Sequence, residues 1–173
     1  MKCYFKYLAF FILATQSTGC ASSSLSQNFK LVDPSVVVIH TSDAKQTVSR
    51  SGNLVSNTER GLGTGVIISE KGEILTAAHV VQTADNLMVK LVDGSTYSAK
   101  VLSTVQYADL ALIKLDHPPK ALNISKLGDS DNSEVGDPVF VIGTPYGIEH
   151  TLTAGYISGK RNMGNGPLGN PLE

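Results

Sequence analysis

Residues 61–81, GLGTGVIISEKGEILTAAHVV, decide how the rest of the chain is read. Val66-Ile67-Ile68 is apolar and β-branched, Glu70-Lys71-Gly72 is a turn signal, and Glu73-Ile74-Leu75-Thr76 resumes a strand. Gly61, Gly63 and Gly65 lower strand propensity, which points to a backbone that bends or approaches another segment closely. Ala77 and Ala78 are small enough to let neighbours pack tightly around His79, which follows where the second strand ends. A histidine held on a rigid β element suits general acid–base work, because its reference pKa of about 6.5 lets it take and return a proton near neutral pH. A histidine after a strand is also readable as an ordinary surface or core residue, and the remaining sequence has to decide between the two.

Further short strands extend outward from this stretch. Ser35 to His40, after Pro34, reads as a first strand, and the polar residues Thr41 to Arg60 read as a long exposed loop. Asn86 to Val92 and Ser95 to Val105 flank an Asp93-Gly94 hairpin turn. Leu110 to Leu115 reads as a buried strand, ended by His117-Pro118-Pro119. Pro138 to Gly143 follows a loop through Gly128-Asp129-Ser130, and two last pieces, His150 to Ala154 and Tyr156 to Ser158, are expected to be kinked at Gly155. Short strands with turns between them predict an all-β chain closed into a barrel, which removes the exposed edges that apolar strands would otherwise present.

The bulk composition agrees with that class. The 173 residues are 42% hydrophobic and 17% charged, with sixteen glycines and seven prolines, enough for an apolar core and unlike a disordered chain. Fourteen basic and fifteen acidic side chains nearly cancel, and no basic run or stripe suggests a nucleic-acid partner. The histidines His40, His79, His117 and His150 lie far apart in sequence and form no HExxH-type pair, so a metal hydrolase is poorly supported.

Residues 1–19 read as a secretory signal peptide: Lys2 and Lys6, an apolar run from Leu8 to Ala14, then small and polar residues. Ser17-Thr18-Gly19-Cys20 resembles the lipobox of bacterial lipoproteins, in which the cysteine is lipidated and becomes the mature N-terminus; Ser17 stands where an aliphatic residue is usual. The alternative is an ordinary cleaved signal with Cys20 incidental. Cys3 and Cys20 are the chain's two cysteines, so the folded part has no disulfide framework. Residues 20–32 are then the lipidated Cys20 and a flexible tether, and the domain faces the periplasm or the outside of a bacterial cell envelope.

Asp109 precedes the apolar strand Leu110 to Leu115 and is expected to be partly buried, where a carboxylate needs a hydrogen-bonded or charged partner. A histidine would serve, since the carboxylate can accept from Nδ1–H, fix the tautomer and stabilise the imidazolium. A carboxylate capping a turn is the alternative.

In order along the chain, GTGVIIS, KGEILTAAHVV, VKLVDG, DLALIKLD, LGDS, VGDPVFVIGTPYG and TLTAGYISG resemble the HtrA/Deg branch of the trypsin-like serine proteases, from about Pro34 to Gly159. Single pieces are common; the ordered set is specific. The resemblance implies a chymotrypsin-type double β-barrel, with residues 33–127 as a complete N-terminal barrel and 128–173 as a linker and the start of a second. It also implies that His79 is the general base and Asp109 its orienting carboxylate. Thr41–Arg60 falls where these proteases carry a variable loop.

In the family the nucleophile lies in a Gly-Asn-Ser-Gly-Gly loop that also supplies the oxyanion amides, and the 173 residues contain no such sequence. Gly164-Asn165-Gly166-Pro167-Leu168 has a superficial likeness without a serine, and Asn170 to Glu173 reads as the approach to a strand cut off. Gly128-Asp129-Ser130 is followed by Asp131-Asn132 and not by glycines, so Ser130 is set aside, as is Ser158 in the TAGYIS strand. The resemblance implies an HtrA-type serine endopeptidase acting on unfolded or exported polypeptides with no metal or organic cofactor, inactive as a chain truncated before its nucleophile, with homo-oligomers possible in the full-length family. The alternative is a non-catalytic lipoprotein that keeps the barrel as a binding or structural module.

Overall fold

Val37, Ile39, Ile67, Ile74, Val89, Ile113 and Leu115 meet in one apolar interior, each at most 1% exposed. Burying a side chain of this size contributes about 1.5–3 kcal/mol, so these few residues dominate the stability of the lobe they fill. The structure, a computed structural model, describes residues 24–48 and 54–160.

Six strands carry that interior: β1 (Val36–Val48), β2 (Leu54–Ile67), β3 (Glu73–Thr76), β4 (Asn86–Lys90), β5 (Thr96–Val105) and β6 (Leu110–Leu115). They pair antiparallel in the order β1-β2-β3-β6-β5-β4, and β1 pairs with β4 to close the barrel. In β6, Ala111, Ile113 and Leu115 point inward while Leu112 and Lys114 do not, the period-2 alternation of a sheet with one face on the core. A bulge in β5 between Val101 and Ser103 admits Leu102 as an extra residue. The turn before β3 needs Gly72, whose φ of +74° is left-handed and whose position faces Pro118 and Leu115 closely.

The glycines of β2 are sites of close approach. A Cβ at Gly65 would lie 2.6 Å from Ile74 Cγ2, and one at Gly63 would collide with the side chain of Val80.

The expected loop Thr41–Arg60 is mostly a hairpin. β1 continues to Val48 and β2 begins at Leu54, paired from Val36 opposite Val66 to Val48 opposite Leu54. The backbone ladder propagates outward from a buried strand, so pairing continues where the sequence offers no apolar alternation. The centre of that stretch, residues 49–53, lies outside the described residues.

A helix, α1 (Leu25–Val32), stands where the sequence reading has the flexible tether of residues 20–32. Ser24 Oγ accepts from the Gln27 backbone N–H at 3.2 Å, and Gln27 Oε1 accepts from the Ser24 N–H at 2.8 Å, a capping box that closes two orphan donors. Lys30 in the last turn suits the helix dipole.

Beyond the barrel, β7 (Pro138–Gly143) and β8 (Thr151–Tyr156) form a separate two-stranded antiparallel sheet. Gly155 pairs with Val139 inside a continuous β8, so the expected kink is absent. Between these strands, residues 144–150 are tied back to the first lobe by three side-chain contacts. Thr64 Oγ1 donates to Thr144 Oγ1 at 3.1 Å, Lys90 Nζ pairs with Glu149 at 2.9 Å, and His150 Nδ1 lies 2.7 Å from Asp33 Oδ1. Thr64 and Lys90 are the two cross-strand neighbours of Val38. Val36–Ile39 is an unbroken buried run in which Val37 and Ile39 belong to the core cluster, and Val38 lies between Thr64 and Lys90, two of the residues that hold this strap.

Candidate active site

The ladder between β3 and β6 brings the two candidate residues together. Thr76 pairs with Ala111; the chain leaves β3 toward His79 and enters β6 from Asp109, so both residues emerge at the same end of that strand pair. His79 sits in α2 (Ala78–Val81), a single turn fixed to the core by the buried side chains of Ala78 and Val81. Asp109 ends a 3₁₀ turn over Gln106–Ala108 with φ 49° and ψ 44°, a left-handed conformation that aspartate adopts more readily than most residues. Its own N–H bonds to Gln106 O at 3.1 Å, which holds that conformation.

Asp109 uses both carboxylate oxygens on His79. Oδ1 accepts from the backbone N–H of His79 at 2.9 Å, and Oδ2 lies 2.6 Å from His79 Nδ1. The backbone N–H bond of His79, followed by its ring, holds the Asp109 carboxyl below the usual carboxylate range. Near neutral pH the carboxylate is therefore ionised and can only accept, so Nδ1 carries the proton and Nε2 carries the lone pair of the neutral ring. That tautomer can receive a proton at Nε2 while Asp109 stabilises the resulting imidazolium.

Burial differs from expectation. The side chains of His79 and Asp109 are 70% and 53% exposed, so Asp109 is not the partly buried carboxylate that the apolar strand after it suggested. Its carboxylate projects from the rim of the barrel, where β6 has not yet begun, and hydrogen bonds rather than desolvation govern its charge.

The other candidates lie apart. Ser130 opens a 3₁₀ turn in which Asp129 accepts from Asp131 N–H and Asn132 Nδ2, and the Ser130 carbonyl accepts from Lys160 Nζ at 3.1 Å. His40 is exposed on β1 between Leu62 and Met88, His117 follows β6, and His150 pairs with Asp33. Among the described residues no group of three or more His, Cys, Asp or Glu is disposed to hold a metal ion. Cys20 and the residues 164–173 lie outside the described residues.

Sequence reasoning missed the strap. The Lys90 ammonium holds the Glu149 carboxyl below its usual range, with His150 and His40 adding smaller contributions. A charged pair 59 residues apart leaves no local sequence signal, and His150, read as the start of a strand, precedes β8.

Comparison with known proteins agrees with this geometry. Residues 63–171 match the model of the trypsin-like peptidase domain, and the chain belongs to that family. Over 101 residues it is 46% identical to a probable periplasmic serine endoprotease, DegP-like, of Pseudomonas fulva, covering 58% of this chain and 21% of that protein. It is 38% identical over 115 residues to the chloroplastic Protease Do-like 1 of Arabidopsis thaliana, covering 66% and 26%. Among solved structures, the HtrA-type protease AlgW with tripeptide superposes with a TM-score of 0.68 at 31% identity, covering 83% of this chain and 43% of that one. The architecture is thus that of the HtrA-type, chymotrypsin-fold proteases. The chain spans about a quarter or less of the curated relatives it matches and under half of the solved structure.

Proposed function

We propose that the protein is a serine endopeptidase of the HtrA type and that these residues carry its general base, His79, and the orienting carboxylate, Asp109. The observation that carries the reading is Asp109 holding both the backbone N–H and Nδ1 of His79, at 2.9 and 2.6 Å, which leaves Nε2 basic and accessible. In the reaction, Nε2 takes the proton of a serine hydroxyl as its oxygen bonds to the scissile carbonyl carbon, and returns that proton to the leaving amine as the C–N bond breaks. The 173 residues contain no Gly-Asn-Ser-Gly-Gly sequence, so this reading assigns them the proton relay and not the attacking group.

Relatives named as periplasmic serine endoproteases support polypeptides as the substrate class and a bacterial cell envelope as the location. Exported or unfolded chains are the substrates we assign, with lipidation at Cys20 as the membrane anchor. Several acyl chains, at about 0.8 kcal/mol per buried methylene, would make such an anchor stable.

The test is fluorophosphonate labelling and hydrolysis of an unfolded polypeptide by the native protein isolated from its host. Labelling and hydrolysis are expected, both abolished by His79→Ala, whereas a polypeptide limited to these 173 residues is expected to remain unlabelled. A native protein that neither labels nor hydrolyses would overturn the reading in favour of a non-catalytic envelope module built on the same barrel.

A further inference from the structure

The segment carrying His79 is gripped at both ends by carboxylates. At its start Asp109 accepts one backbone N–H and one side-chain donor, both from His79. At its end Asp43, on β1, does the same: Oδ2 accepts from Thr83 Oγ1 at 2.7 Å and Oδ1 from the backbone N–H of Asp85 at 3.2 Å. The ladder between β1 and β4 ends at the pair Ser42 and Asn86, so Asp43 extends the barrel's closing seam with its side chain where backbone pairing stops.

α2 needs such support. It is one turn long, lacks a side-chain N-cap, and a single helical turn is not stable by itself. Ala78 and Val81 fix its inner face. Val80 packs against β2 at Gly63, and polar contacts hold the two ends of the turn. Asp109 holds its start, and beyond Val81 the chain is held by Asp43.

We propose that Asp43 is a positioning residue for His79, acting through Thr83 and the Asp85 backbone to fix the far end of α2. The inference rests on the reading of His79 as the general base, and goes beyond it by assigning a third residue, which binds the chain after α2 and not His79 itself. Removing the Asp43 carboxylate frees the turn after α2 and loosens the ring against Asp109, while both groups of the Asp109–His79 pair are kept. A base displaced by about 1 Å can cost about 10²-fold in rate. Loss of one of two anchors should cost less.

The experiment compares Asp43→Ala and Asp43→Asn in the native protein by two readouts. The first is NMR of histidine-labelled protein, following solvent exchange of the His79 Nδ1 proton; the second is kcat and KM for peptide hydrolysis. In Asp43→Ala the Nδ1 proton is expected to exchange several-fold faster, and kcat to fall about tenfold with KM unchanged. Asp43→Asn keeps an oxygen for the Asp85 N–H and an amide for the Thr83 hydroxyl, and is expected to restore both readouts to within about twofold of wild type. A folded Asp43→Ala with wild-type exchange at Nδ1 overturns the proposal, whatever its kcat, because the carboxylate would then not act through His79. If Asp43→Ala does not fold, Thr83→Val, which removes one contact and leaves the other, is judged by the same outcomes. The NMR readout does not depend on activity, so a His79→Ala variant that retained hydrolysis would remove the base reading separately.

Discussion

Gly63→Ala tests whether the barrel wall sets the height of α2. A Cβ at this position would lie 2.8 Å from Val80 Cγ2 and 3.2 Å from Val80 Cβ, and closer still to Cγ1. Carbon atoms in ordinary contact stand about 3.5–4.0 Å apart, so Val80 has to retreat by about 1 Å. It cannot do so by rotation, because a β-branched side chain in a helix has essentially one χ1 rotamer. The turn carrying His79 must therefore lift. Overpacking of this kind costs about 1–3 kcal/mol, offset by about 0.4–1 kcal/mol from the reduced freedom of alanine in the unfolded chain, for a net loss of about 1.3 kcal/mol at the middle of both ranges. Urea denaturation followed by circular dichroism measures it, and Val80→Ala supplies the control. Removing both methyls leaves only the 3.2 Å approach to the Cβ of residue 80, so Gly63→Ala in the Val80→Ala background should cost clearly less than it does alone. A Gly63→Ala protein as stable as wild type, or one that Val80→Ala fails to rescue, would refute the reasoning.

Asp109→Asn removes the charge and presents an amide to His79 Nδ1, which favours the wrong tautomer; in the best-studied triad of this kind the same change lowers kcat about 10⁴-fold, and a similar loss is expected in peptide hydrolysis by the native protein. Because the folded-state pKa of Asp109 is depressed, the stability it contributes is present above the unfolded value of about 3.9 and is lost only as pH falls through the lower folded value. Carboxyl NMR should give a titration midpoint below that reference, and His79→Ala should raise it only part of the way, since the backbone N–H at position 79 is the larger cause and survives the substitution. Metabolic palmitate labelling should depend on Cys20; an unlabelled, freely soluble product would count against the lipid anchor.

Much of the barrel was legible because its strands obey simple patterns. Leu110–Leu115 alternates, and Val66–Ile68 and Glu73–Thr76 are separated by a turn that needs Gly72 at positive φ. The meeting of His79 and Asp109 was legible from motif order, and the β3–β6 ladder gives its physical reason. The outer hairpin was not legible, since its strands are held by backbone pairing that begins in a buried region and continues through polar sequence. The helix at Leu25–Val32 carried a readable signal in Ser24 and Gln27, hidden by the low-complexity serines that precede it. The exposure of Asp109 was misjudged because an apolar strand following a residue says nothing about which way that residue leaves the rim. Contacts such as Asp43 with Thr83, 40 residues away, depend on barrel closure and have no trace in local sequence.

The strap between β7 and β8 bears on the order of events as the polypeptide is made. Thr64, Lys90 and Asp33, which receive Thr144, Glu149 and His150, all belong to segments synthesised earlier. N-terminal units generally fold first during synthesis, so an assembled first lobe would offer ready docking points to the connection as it emerges. The second sheet would then start from a fixed edge rather than from a free chain, and weakening any of the three attachments should show up as slower maturation before it shows up as lost stability.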